Sequence, residues 1–141
     1  MLVEGRDYKK IKHPIYKYEM IKPYCVTTDI MTFTIFKSYF SLNQYGLLTA
    51  RIGYRWNGVS CSPDFKCLFD GALPHDIIYQ LLQEGHFKDC FGFDFDDVRL
   101  KGDDLLYRLW LKNKAPKFVA CIGYKLVRVF GKKFAKELKN V

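Results

Sequence analysis

The chain has 141 residues, 49% of them hydrophobic and 17% aromatic, and a formal charge of +8. That length suits one domain able to bury its own core, and that composition excludes a disordered chain. With no apolar run near the ~20 residues a bilayer span needs, and no apolar signal-peptide region at the amino terminus, the expectation is one soluble domain over residues 1–141, with no transmembrane segment and made in the cytosol.

Residues 1–60 read as mainly β. "IYKYEMI" alternates, "YCVTTDIMTFTIFKSYFSL" is dense in β-branched and aromatic residues, and "LLTARIGYRW" resumes extended character after the turn chemistry of "NQYG". The reading is three to five antiparallel strands. "NGVSCSPDFK" is then a loop by its Gly, Ser, Pro and Asp content. Residues 70–141 read as mainly α, in three helices. The first runs from about Ala72 to Glu84 and stops at Gly85, a natural C-cap. The second spans about Val98 to Lys112. The third begins after Pro116, with Ala120, Gly123, Val127 and Phe130 or Phe134 at helical intervals. The fold class is α+β: an antiparallel β-rich half, then helices.

Charge is unevenly placed. From Lys112 onward there are nine basic residues and one acid, so that segment alone carries +8 and residues 1–111 balance. Lys125, Arg128, Lys132, Lys133 and Lys136 on the third helix are the candidate residues for an anionic surface, set against the plain alternative of a solvated face. Five cysteines at irregular spacing argue against a disulfide framework. Cys61, Cys67, His86 and Cys90 flank the first helix, but they match no compact zinc-ligand pattern, and small buried thiols are the expectation.

The segment "DGALPHDIIYQLLQEG" places two titratable groups inside an apolar run. His75 and Tyr79 are four apart and share a helix face, whereas Asp76 lies about 100° round the wheel and points elsewhere. Pro74 is best tolerated in a first turn, which would set His75 near the helix N-terminus, where the dipole disfavours imidazolium and a neutral base is favoured. Such a base needs an acceptor on its other nitrogen. In "KGDDLLYRLWL", Asp103 shares a stripe with Leu106 and Trp110, so antiparallel packing of the first two helices would bring Asp103 to His75 and Tyr79. Asp104 would face solvent or an edge. Asp76, with carbonyls of the Gly turn in "RWNGVS", is a candidate oxygen set for Ca²⁺.

"HDIIY" followed by "GDDLL" resembles the phospholipase A2 superfamily, whose core motif is H-D-x-x-Y, and is nearest to its short viral form. The match covers about residues 55–110. A family of phage and prophage proteins is also similar, over roughly residues 50–130, and more closely. Its Gly-aromatic turn, HD..Y and R..AD..f have counterparts in Gly53-Tyr54, in His75, Asp76 and Tyr79, and in Arg99, Gly102, Asp103 and Leu106. The phospholipase resemblance implies His75 as the base that activates water, Asp103 and Tyr79 as its support, and Ca²⁺ held by Asp76 and carbonyls near Trp56, Asn57 and Gly58. The chain departs from that pattern in having one glycine in the calcium turn, no cysteine just before the motif, Pro74 before His75, and Gly-Asp in place of Ala-Asp.

Three functions follow as expectations. The first is a tailed-phage accessory or virion-associated protein with a phospholipase A2-like His/Asp core that is structural. It would be found in the host cytoplasm or in the particle, with other phage structural proteins or an anionic phospholipid surface as partner. The second is an active Ca²⁺-dependent phospholipid esterase. The third is a nucleic-acid-binding module using the basic C-terminal helix.

Overall fold

The computed structural model describes residues 8–32, 34–56 and 66–136. Among the described residues the first half forms seven short strands, more than the three to five expected because the extended runs are broken into short pieces: β1 (Tyr8–Lys10), β2 (Tyr18–Met20), β3 (Tyr24–Thr27), β4 (Ile35–Phe36), β5 (Phe40–Leu42), β6 (Leu47–Ala50) and β7 (Arg55–Trp56). The second half is helical: α1 (Lys66–Gln83), α2 (Phe95–Lys112), α3 (Lys117–Phe130) and the single turn α4 (Lys132–Ala135). The α+β arrangement expected from the sequence is present.

The strands divide into two antiparallel sheets, ordered β1-β2-β7 and β3-β6-β5-β4. The β5–β6 connection is the "NQYG" turn. The Asn43 side chain accepts the amides of Tyr45 and Leu47, both at 2.9 Å, and Gly46 takes φ +88°. A Cβ there would also stand 2.4 Å from the Thr28 carbonyl oxygen, so this position needs glycine for both conformation and space.

Inward-facing residues of both sheets, among them Met20, Leu42, Leu48 and Ala50, share one apolar cluster with α1 and α2. α1 lies at its centre. Leu73, Ile77, Ile78, Leu81 and Leu82 are all buried, with Ala72 and His75 beside them. A helix apolar nearly all round is one surrounded by protein, so any polar group on it must find a partner inside.

The structure corrects the expected start of α1. The helix begins at Lys66 rather than near Ala72, so Pro74 lies inside it and His75 is the tenth of its 18 residues. An interior proline forgoes one backbone hydrogen bond and costs about 3 kcal/mol. Each fully buried Leu or Ile contributes roughly 1.5–3 kcal/mol, and five such residues outweigh that cost. The N-terminal dipole argument for a neutral His75 therefore falls, because dipole effects fade beyond the first turn.

The ends of α2 follow local rules. Asp94 caps it by accepting the Asp97 amide at 3.1 Å, Asp96 and Asp97 sit in the first turn, and Lys112 in the last. α3 packs on α2 through Gly123, where a Cβ would lie 2.6 Å from the Trp110 ring. The Trp110 indole N–H in turn donates to the Leu68 carbonyl at 2.8 Å. The third helical stretch does not run through Phe134 as one helix: it breaks at Gly131, and both Phe130 and Phe134 are exposed rather than core.

Candidate functional site

The site is the seam where α1, α2 and the end of α3 meet. His75 and Tyr79 project from adjacent turns of α1, their ring centroids 4.2 Å apart. Asp103 comes from α2. At that level Gly102 lets the helices approach closely, since a Cβ there would lie 3.1 Å from Ile78 Cγ2.

Asp103 is fully buried and takes hydrogen bonds on both carboxylate oxygens. Oδ1 accepts the Nε2–H of His75 and the hydroxyl of Tyr79, each at 2.7 Å. Oδ2 accepts Nη1 of Arg128 at 2.6 Å, with Arg99 Nη2 at 3.8 Å. The Arg99 Nε–H donates to the Tyr79 oxygen at 3.1 Å, and its Nη2 donates to the carbonyls of Val127 and Arg128 at 2.7 and 2.8 Å. Those carbonyls belong to the last turn of α3, where the Val127 oxygen also accepts the Gly131 amide at 2.8 Å. One carboxylate and two guanidiniums thus tie three helices together, with every charge partnered.

The electrostatics follow from this packing. Burial alone would depress the His75 imidazole, but the carboxylates of Asp103 and Asp76 outweigh it and raise His75 above its ordinary value. Burial would raise Asp103, yet the donors His75, Tyr79 and Arg128 hold it below the usual carboxylate range. Burial first, then the Asp103 charge, push the Tyr79 phenol up, so it stays a donor. Asp76 is raised by burial, partly opposed by His75. Its Oδ1 stands 3.8 Å from His75 Nδ1, beyond hydrogen-bond reach. Its side chain is 35% exposed.

The structure brings His75, Asp103 and Tyr79 together as the spacing predicts. Asp104 faces outward and accepts the Tyr124 hydroxyl at 2.6 Å. Arg128 is the correction among the basic residues: its guanidinium turns inward to Asp103, because packing of Gly123 on Trp110 rotates that side of α3 toward α2. Lys125, Lys132, Lys133 and Lys136 are exposed, Lys132 standing 3.8 Å from Asp96. The part played by Arg99 was not assigned from the sequence. Its position four residues before Asp103 on one helix was the available signal. Nothing in the sequence marked Arg128 for the interior.

The candidate calcium set is only partly in view. Trp56 is buried in β7 and its carbonyl accepts the Lys17 amide at 3.3 Å, while Asn57 and Gly58 lie outside the described residues. Among the described residues no group of three or more His, Cys, Asp or Glu side chains is placed to hold a metal. Asp76 by itself does not make up the six to eight oxygens of a calcium site. Of the cysteine and histidine set near α1, Cys61 lies outside the described residues. Cys90 accepts the Thr32 hydroxyl at 2.6 Å, and His86 pairs with Glu84 at 2.8 Å.

No protein-family model, curated protein or solved structure matches the chain. No helix among the described residues is long and apolar enough to cross a membrane.

Proposed function

We propose that this chain is an accessory or virion-associated protein of a tailed phage, in which the phospholipase A2-like His/Asp core clamps the helical half together instead of hydrolysing an ester. The phage setting rests on the motif resemblance of His75, Asp76, Tyr79, Arg99 and Asp103. The structural role rests on one observation: Asp103 is fully buried and both its oxygens are occupied by side chains of α1 and α3. A general base must be free of a proton at working pH. The carboxylates of Asp103 and Asp76 raise His75 above its ordinary value, so the ring holds a proton more readily than a free imidazole does. Replacing His75 with Gln tests the reading. The expected result is a loss of about 1–3 kcal/mol of stability, since Asp103 keeps a poorer partner. Neither form should hydrolyse a fluorescent phospholipid.

A second reading, a phospholipid esterase, is favoured by the orientation of the same ring. The Asp103 bond at Nε2 leaves Nδ1 directed toward the half-exposed Asp76, as a carboxylate-held base requires. Any bound Ca²⁺ would supply electrostatic stabilisation of the developing oxyanion. Hydrolysis by the wild type, lost in His75→Gln without loss of folding, would establish this reading and reject the first.

A further inference from the structure

We propose that the outward face of α3 docks on an anionic lipid bilayer. Phe118, Ile122, Leu126, Val129 and Phe130 recur at i, i+4, i+8, i+11 and i+12, and all five are between 47% and 69% exposed. At 100° per residue they fall within an arc of about 120°. The opposite face carries Ala120, Gly123, Tyr124 and Val127 and is the one packed on α2. A helix with its inner face satisfied and a second apolar stripe left outside has an apolar surface larger than solubility calls for.

Charge selects the occupant. Residues 117–136 contain five lysines and Arg128, with no Asp or Glu. Arg128 is spent on Asp103, while Lys117, Lys125, Lys132, Lys133 and Lys136 are all exposed around or beyond the stripe. An apolar stripe rimmed by lysine is the pattern of a helix lying in the headgroup plane, with its apolar side sunk roughly 5–10 Å and its cations on anionic headgroups. A second copy of the chain fits poorly, because face-to-face pairing would set one lysine rim against another. Nucleic acid fits poorly as well. Phe118 and Phe130 offer aromatic faces only at the two ends of the stripe, and base stacking there with phosphate contacts to the lysines would leave Ile122, Leu126 and Val129 between them in water.

The helix needs no rearrangement to bind. Arg99 holds its last carbonyls, Tyr124 is bonded to Asp104, and Gly123 is seated on Trp110, so about 21 Å of helix is presented as a fixed ridge. The inference does not depend on whether His75 is a base, and a folded His75→Gln chain should bind vesicles as the wild type does.

The test is co-sedimentation of the full chain with vesicles of phosphatidylserine in phosphatidylcholine, and with phosphatidylcholine alone. Wild type should partition to the anionic vesicles and remain in solution with the neutral ones. Ile122→Ser/Leu126→Ser should weaken binding at least about tenfold. Lys125→Gln/Lys133→Gln should weaken it about 25-fold, from roughly fivefold per lysine. All four side chains are exposed, so thermal melts of both variants should match wild type. Wild type left in solution with the anionic vesicles would overturn the proposal. So would binding insensitive to Ile122→Ser/Leu126→Ser, or capture of a single-stranded oligonucleotide in place of vesicles. A wild-type dimer that the same double substitution splits into monomers, with no vesicle binding, would assign the face to a second copy instead.

Discussion

Replacing Asp103 with Asn probes the network at its centre. The substitution keeps the shape and removes the charge that faces His75, Arg128 and Arg99 together. The carboxylate takes a charged bond from Arg128 at 2.6 Å, one from the His75 ring at 2.7 Å and one from the Tyr79 hydroxyl at 2.7 Å. A charged hydrogen bond contributes about 1.5–3 kcal/mol, and breaking a buried pair from one side costs about 3–5 kcal/mol. Three features soften the loss. The Asn oxygen still accepts one donor, Arg99 keeps its carbonyl partners, and Arg128, its side chain 29% exposed, can turn toward water. The expected cost is about 3 kcal/mol at neutral pH. Total stability for a domain of this kind is about 5–15 kcal/mol, so the variant stays folded at 25 °C and its midpoint falls by about 10 °C. Urea unfolding followed by circular dichroism reads the difference directly. A loss below about 1 kcal/mol would refute the claim that Asp103 is the clamp between α1, α2 and α3.

Other outcomes follow from the same geometry. His75 is raised in the folded state, so its contribution is complete below about pH 6.5 and is lost as pH climbs through the folded value. Asp103 is lowered, so its contribution is present above about pH 3.9 and is lost as pH falls through its folded value. The stability gap between wild type and Asp103→Asn should therefore be widest near pH 5–6 and narrow on either side; a gap that grows steadily to pH 9 would contradict this. Asp76→Asn should leave stability unchanged or raise it by up to about 1 kcal/mol at pH 8, because burial disfavours that carboxylate while its contact with water limits the effect. A clear destabilisation in the same urea titration would point to a missing partner for Asp76. Gly123→Ala should cost about 1–3 kcal/mol and blue- or red-shift tryptophan emission, since the added Cβ meets the Trp110 ring at 2.6 Å. An unshifted spectrum with full stability would mean α3 does not seat there.

The sequence by itself determined what local geometry controls. The "NQYG" turn and the stop at Gly85, where φ is +71°, depend on residues a few positions apart. So does the pairing of His75 with Tyr79, because a helix sets residues four apart on one face whatever surrounds it. The approach of Asp103 needed one further assumption, that neighbouring helices pack antiparallel, and short connections make that the common case. Tertiary structure decided the rest. β2 is paired not only with β1 but with β7, a partnership across more than thirty residues that no local pattern encodes. α1 runs through Pro74 because burial on several sides outweighs one missing hydrogen bond, a balance invisible until the neighbours are in place. Arg128 looks in sequence like its lysine neighbours. It faces Asp103 because the seating of Gly123 on Trp110 sets the rotation of α3, and that rotation divides its basic residues into one inward-turned counter-charge and a rim left to the solvent.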